Sequence, residues 1–352
     1  MRKRKLGFTF SVTSGLAALA LLACGNGSSK QGEAATASPL AQPATGNGQS
    51  ATSPDSRGLD SGRADALPAE KTGGFDGARA YDYTAKLVSF GPRPPDSDAI
   101  HRTQDYIKSE LKADGCTFDE DDFHSSTPIG DVPMKNIIVK IPGQTQEIIL
   151  LLTHYDTLKK DGFVGAVDGG SSTGLMLEMA RELCPKKQPL GVWIAFLDGE
   201  EAFVQWSDED SVYGSRELAA RMALSGELKR IKAVILADMV GPKNLEIRRE
   251  PTSTGWLTNL VWQKAAALGY GDVFVSKDLA VQDDHLPFLR RQVAAVDIID
   301  LAGYQAAGYW HTNDDTMDKV SARSLGIVGH VILATMDDLQ GHKMQPDKGK
   351  TP

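Results

Sequence analysis

Cysteine is scarce. Three in 352 residues cannot build a disulfide scaffold or a Cys-rich zinc site. Basic clusters are absent beyond residue 5, and 46 acidic against 38 basic residues leave a net charge of −8. Such a chain is a poor nucleic-acid binder, because phosphate contacts need concentrated positive charge. No apolar run after residue 24 reaches the roughly 18 residues of a spanning helix. Coiled-coil heptads are missing too, which favours a monomer. These absences exclude fibrous, repeat, polytopic membrane and nucleic-acid-binding classes. What is present is 41% hydrophobic and 24% charged residues, enough apolar material for a sizeable core. The length fits one large domain or two ordinary ones.

The first 24 residues read as an address rather than as fold. Arg2, Lys3, Arg4 and Lys5 precede an apolar stretch from Leu6 to Leu22, which ends in Leu21-Leu22-Ala23-Cys24. The order basic, apolar, small is that of a secretory signal. Its ending resembles a bacterial lipobox, with Cys24 as the lipidated first residue of the mature chain. The expectation is an exported bacterial lipoprotein, held to a membrane only by the lipid on Cys24 and facing the periplasm or cell exterior. Residues 25–74 are rich in Gly, Ser, Ala, Thr, Gln and Pro, with almost no large apolar side chains. They cannot bury enough surface to offset chain entropy and are expected to be a disordered tether. The head is expected over 75–340, with a disordered tail over 341–352.

Within the head, helical spacing marks Ala78–Ser89 and Asp98–Asp114, separated by Gly91-Pro-Arg-Pro-Pro95. Apolar runs suited to buried strands follow at Ile137–Ile141, Ile148–Leu152, Val192–Leu197, Val234–Ala237 and Ala294–Ile299. Helical patterns at Thr173–Leu183, Ser215–Ala223 and Trp256–Leu268 lie among them, and Ser321–Leu339 closes the head. The alternation predicts an α/β fold: a single three-layer α/β/α domain around a mostly parallel, mixed central sheet.

Sites in such sheets lie beyond the carboxyl ends of the strands. There the chain carries His154 and Asp156, then Glu200-Glu201, then Asp238, and past a loop Trp310-His311, while Asp168 sits in a Gly-rich loop. Singly, each has an ordinary explanation. An Asp after a strand is usually a cap, and a lone histidine is usually a surface or hydrogen-bonded residue, as His101, His124, His330 and His342 are read here. Their repetition at strand ends argues for a site. Imidazole and carboxylate without thiolate suit zinc or a similar divalent ion. Of two adjacent glutamates, one can bind metal while the other handles protons.

The order His154-x-Asp156, Asp168, Glu200-Glu201, Asp238, His311 resembles the zinc-dependent aminopeptidase family M28. Phe163–Asp168, Asp198-Gly-Glu-Glu-Ala-Phe-Val-Gln-Trp206, Asp210-Ser-Val-Tyr-Gly-Ser-Arg216, Gln282-Asp-Asp-His-Leu-Pro-Phe-Leu-Arg-Arg291 and Trp310-His-Thr312 are similar to its glutaminyl cyclase branch. The resemblance covers about residues 75 to 340. It implies Asp168, Glu201 and His311 as ligands of one Zn2+, and Glu200 as acid/base. It further implies Asp238 and Asp283 as a carboxylate pair beside the site, and Gln282, Trp206 and Trp310 as pocket lining. The implied substrates are peptides or proteins with N-terminal glutamine, closed to pyroglutamate with loss of ammonia. In the aminopeptidases His154 and Asp238 would complete a second zinc site. A zinc aminopeptidase is therefore the alternative, and a surface-anchored binding protein without catalysis a third reading.

Two departures stand out. Two-metal peptidases usually follow the bridging Asp with Asn, whereas here Gly169 follows Asp168, which favours the cyclase branch. Animal secretory cyclases carry a cysteine pair where this chain has Thr153 and Thr173. Cys116 and Cys184 could pair in an oxidising compartment, but buried free thiols are the expectation.

Overall fold

The structure is a computed structural model, and it describes residues 61–341. The expected signal, Cys24, the expected tether up to residue 60 and the expected tail from residue 342 lie outside the described residues.

After a short 3-10 turn (Ala69–Lys71) come α1 (Gly77–Val88) and α2 (Asp98–Ala113). Asp76 accepts from Arg79 N and Ser97 from Ile100 N, the capping that the first turn of a helix lacks internally. Strands β1 (Phe118–Thr127), β2 (Gly130–Ile141) and β3 (Ile148–His154) follow, then α3 (Ser172–Leu183), β4 (Gly191–Leu197), α4 (Tyr213–Ser225) and β5 (Ile231–Asp238). The last part holds β6 (Ile247–Arg249), α5 (Gly255–Ala267), β7 (Phe274–Asp278), α6 (Leu286–Leu289) and β8 (Ala295–Ile299). It ends with α7 (Leu301–Ala306) and α8 (Ala322–Leu339).

Six strands form one sheet in the order β1-β2-β4-β3-β5-β8, and β6 and β7 pair separately. β4, β3, β5 and β8 are mutually parallel, while β2 runs antiparallel to both β1 and β4. Side chains alternate across the sheet. On β3, Ile149 and Leu151 join the larger core with Leu87, Leu175 and Val328 of α1, α3 and α8. Ile148, Leu150 and Leu152 face the other way, onto Leu218 and Met222 of α4 and Phe288 of α6. This is the expected three-layer α/β/α arrangement. It brings the carboxyl ends of four parallel strands to one edge.

Three features differ from expectation. Cys116 and Cys184 are not free thiols. They form a disulfide, because the ends of α2 and α3 lie side by side with Cα atoms 5.3 Å apart, inside bridging range. The packed head also starts before Phe75. Asp65 accepts from Ser321 Oγ and Arg323 N at the start of α8, Thr72 is buried, and Ala66 and Leu67 pack on the main core. Hydrogen bonds and two apolar residues, Ala66 and Leu67, suffice here where composition suggested none. Finally, β1 was not expected as a strand. Its Asp119-Glu-Asp-Asp122 run is polar because it forms an edge, with Lys135, Lys108 and Lys140 as charge partners.

Candidate active site

Each residue singled out at a strand end occupies the same edge. β3 delivers His154, fully buried; β5 delivers Asp238; the turn after β4 delivers Glu200 and Glu201. Asp168 lies in a tight turn before α3, with Gly169 at φ +70. A Cβ on Gly169 would stand 2.6 Å from the Asp156 carbonyl oxygen and 3.0 Å from His154 Cε1. Only glycine therefore lets the turn close against the Asp156 backbone and the His154 ring. Thr153 and Thr173 both donate to the His154 carbonyl oxygen, at 3.2 and 2.8 Å, and so join β3 to α3.

Asp168 links two groups of donor atoms. Its Oδ1 is 3.3 Å from His154 Nε2, and its Oδ2 is 3.4 Å from His311 Nε2. Asp168, Glu201 and His311 each offer an atom within 4.8 Å of the others, and so do His154, Asp168 and Asp238. His311 Nε2 is 3.6 Å from Glu201 Oε1, and His154 Nε2 is 3.0 Å from Asp238 Oδ1. Imidazole stacking on Trp310, with ring centroids 4.3 Å apart, fixes His311. His311 and Met239 both hold positive φ without being glycine, the kind of strain that collects at functional sites.

The first group fits a divalent cation. Glu201 Oε1 is buried without a hydrogen-bond partner. Burial, reinforced by Asp168, pushes the Glu201 carboxyl up to about 8, although His311 pulls it back. His311 itself rises to about 9, because Asp168 and Glu201 outweigh its burial. A cation would relieve the carboxylates, and it would compete with protons for the same atoms.

A pH dependence follows. The ordinary values are 4.5 for Glu201 and 6.5 for His311, so the metal-free fold binds more protons than the unfolded chain above those values. Stability then falls as pH rises. Asp168 is shifted below its ordinary 3.8 and acts only under that pH. Metal-stripped protein should therefore lose Tm from about pH 5 to about pH 9, while zinc-loaded protein changes much less. Parallel melting curves of the two forms across that range would contradict the ligand assignment.

A pocket of about 530 Å³ opens above these groups. Glu200, Asp283, Gln282, Trp206 and Trp310 line it together with Asp168, Glu201, Asp238 and His311. His154 and Asp156 sit beneath. Trp206 Nε1 donates to Gln282 Oε1 at 3.2 Å. Burial holds Glu200 well above the usual carboxylate range; His154 opposes this, while Glu201, Asp283 and Asp284 add to it. Asp283 is raised likewise by burial, with Asp297 and Asp238 next in weight.

Several supporting residues escaped sequence reasoning. Asp156 was noted only as part of a motif. Its two oxygens accept from Glu200 N at 3.1 Å and Glu201 N at 3.3 Å, so one carboxylate sets both glutamates. Arg93 is fully buried and donates to the carbonyls of Tyr155, Val164 and Gly165, at 2.7, 2.6 and 3.0 Å. Asp315 accepts from Val167 N and Asp168 N at 2.8 and 3.1 Å. Between them, Arg93 and Asp315 fix the turn that carries Asp168. Burial lowers Arg93 to about 10, and Asp156, Asp315 and Asp168 counter it. The one available signal was Arg93's place in Gly91-Pro-Arg-Pro-Pro95.

Residues 136–336 match the sequence profile of Peptidase family M28. A glutaminyl-peptide cyclotransferase of Boiga irregularis is 30% identical over 280 residues, covering 68% of this chain and 75% of the relative. The crystal structure of an Acidobacteriales bacterium glutaminyl cyclase superposes with TM-score 0.72 at 40% identity, over 76% of this chain and 96% of that one. A Zn-dependent exopeptidase from Parabacteroides distasonis superposes with TM-score 0.68 at 29% identity, over 74% and 98%.

Proposed function

This chain belongs to peptidase family M28, in its glutaminyl cyclase branch, and we infer from that membership that it is a glutaminyl-peptide cyclotransferase. It closes N-terminal glutamine of peptides to pyroglutamate and releases ammonia. The observation that carries the cyclase reading over a peptidase one is Gly169. The asparagine usual in two-metal peptidases would put its Cβ 2.6 Å from the Asp156 carbonyl oxygen at a positive φ, so this turn is built for glycine.

Asp168, Glu201 and His311 would hold one zinc ion, which supplies Lewis-acid polarisation of the side-chain amide. The remaining work falls to the chain. The α-amine and the amide are in one molecule, so the reaction needs orientation more than a strong nucleophile. Glu200 takes a proton from the attacking amine and gives it to the departing nitrogen. The new C–N bond closes the ring as the old one breaks, and the proton count balances on ammonia. Asp238 and Asp283, both raised by burial, line the pocket, and Asp283 Oδ2 has no other hydrogen-bond partner, so the two are suited to hold the substrate amine. Trp206 and Trp310 give the pocket apolar walls that keep water from competing.

The test offers zinc-loaded protein a Gln-initiated and a Leu-initiated peptide, followed by mass spectrometry. Loss of one ammonia from the first alone is expected. Release of an amino acid from either would establish the second reading, a zinc aminopeptidase. That reading is favoured by the His154, Asp168 and Asp238 group, which would hold a second ion.

We further infer that the protein is exported and lipidated on Cys24. The basic start, the apolar run to Leu22 and the Leu-Leu-Ala-Cys ending support this. Cys24→Ala should move the protein from the membrane to the soluble fraction, and unchanged membrane association would refute the anchor.

A further inference from the structure

The motif Asp210–Arg216 has no part in the chemistry above. It borders the loop that carries Trp206. That loop has no regular structure, and its neck is closed by Val212 N to Glu200 O at 2.8 Å and Tyr213 N to Gly199 O at 2.7 Å. A loop without a ladder leaves its amides needing partners. One side chain supplies them. Asp210, 3% exposed, accepts from Phe203 N on Oδ1 and from Val204 N and Gln205 N on Oδ2, each at 2.9 Å. Tyr213 Oη donates to Oδ1 at 2.8 Å. Four donors thus converge on one carboxylate, which they hold below the usual range in spite of its burial.

Other contacts brace the same turn. Ser207 Oγ accepts from Asp210 N at 3.0 Å, and Ser211 Oγ donates to the Ser207 carbonyl at 2.7 Å. Arg216 reaches from α4 to the carbonyls of Asp208 and Glu209. Val212 at the neck is a β-branched residue with φ +46, which persists only where the surroundings over-determine it. The residue that follows the three caged amides is Trp206, whose indole meets Gln282 across the pocket mouth.

We propose that Asp210 is a positioning residue for substrate binding: by gathering the amides of residues 203–205 it sets the Trp206 wall against Gln282. The choice of substrate for the test rests on the cyclase reading; the geometry does not.

Asp210→Asn keeps the size of the side chain but puts an NH2 where one oxygen accepted. KM for a Gln-initiated peptide should rise about tenfold, with kcat within about threefold and zinc content unchanged. Trp206→Ala should raise KM similarly. If Asp210 acts through Trp206, the double variant should add less than about twofold to Trp206→Ala alone. Acrylamide quenching of tryptophan emission, compared with and without Trp206→Phe, should show Trp206 more accessible in Asp210→Asn. An unchanged KM, fully additive KM effects, or a kcat loss with KM intact would each overturn the proposal. Should Asp210→Asn fail to fold, Tyr213→Phe removes a single donor and should give a smaller KM rise, about twofold, with the same non-additivity. Wild-type protein that turns over no Gln peptide would sink the cyclase reading instead. The quenching comparison then decides the positioning role alone, and equal accessibility would end it.

Discussion

Glu200→Gln should lose turnover by about a hundredfold or more and keep its full zinc content. The side chain is buried at the pocket floor, and its backbone N–H is tied to Asp156 Oδ1. Glutamine fits the same space and forms hydrogen bonds, yet it cannot carry the proton from amine to leaving ammonia. The orienting effect of the pocket survives, so some rate remains. The pH profile gives a second check. Burial raises the Glu200 carboxyl, so its basic form is lost as pH falls through that raised value. Wild-type kcat/KM should decline on the acid side, and the residual rate of the variant should lose that limb. Turnover near the wild-type level would remove Glu200 from its role.

His311→Ala should lose zinc together with activity, whereas His154→Ala should keep one zinc. His311 shares Asp168 with His154, but its trio is completed by Glu201, whose Oε1 has no other hydrogen-bond partner. His154 instead sits 3.0 Å from Asp238 Oδ1 and 3.4 Å from Asp156 Oδ1, within a group of its own. Loss of one of three protein ligands leaves a catalytic zinc weakly held. Metal analysis after gel filtration reads the outcome directly. Full zinc in His311→Ala would overturn the ligand set, and two zincs per wild-type chain would favour the peptidase arrangement.

The buried strands were legible because they are apolar on both faces. Ile148–Leu152 and Val192–Leu197 lie within β3 and β4 almost to the residue. The carboxyl-end rule then picked out the candidate site, since one parallel sheet turns scattered residues into neighbours. Reading failed where contacts between distant segments outweigh local pattern. β1 looks like a charged loop, because an edge strand needs only alternate residues inside, here Asp121, Phe123 and Thr127. The Cys116–Cys184 link depends on where two helices end, which spacing does not reveal. Arg93, Asp156, Asp210 and Asp315 act on backbone amides or carbonyls. Such partners carry no side-chain signature, so even where a motif contained Arg93, Asp156 or Asp210 it did not reveal what they bind.

The two threonine hydroxyls that meet on the His154 carbonyl have a consequence for assembly of the enzyme. The joint between β3 and α3 lies under the proposed catalytic groups, and it closes by hydrogen bonds that form as fast as the chain collapses. A sulfur bridge there would wait on an oxidant, on a scale of seconds to hours. The Cys116–Cys184 disulfide lies at the far end of α3, about 18 Å along the helix from Ser172 at the usual rise per residue. The pocket can therefore mature before any thiol is oxidised, and a reducing environment would act on the remote clamp while leaving the joint beneath His154 intact.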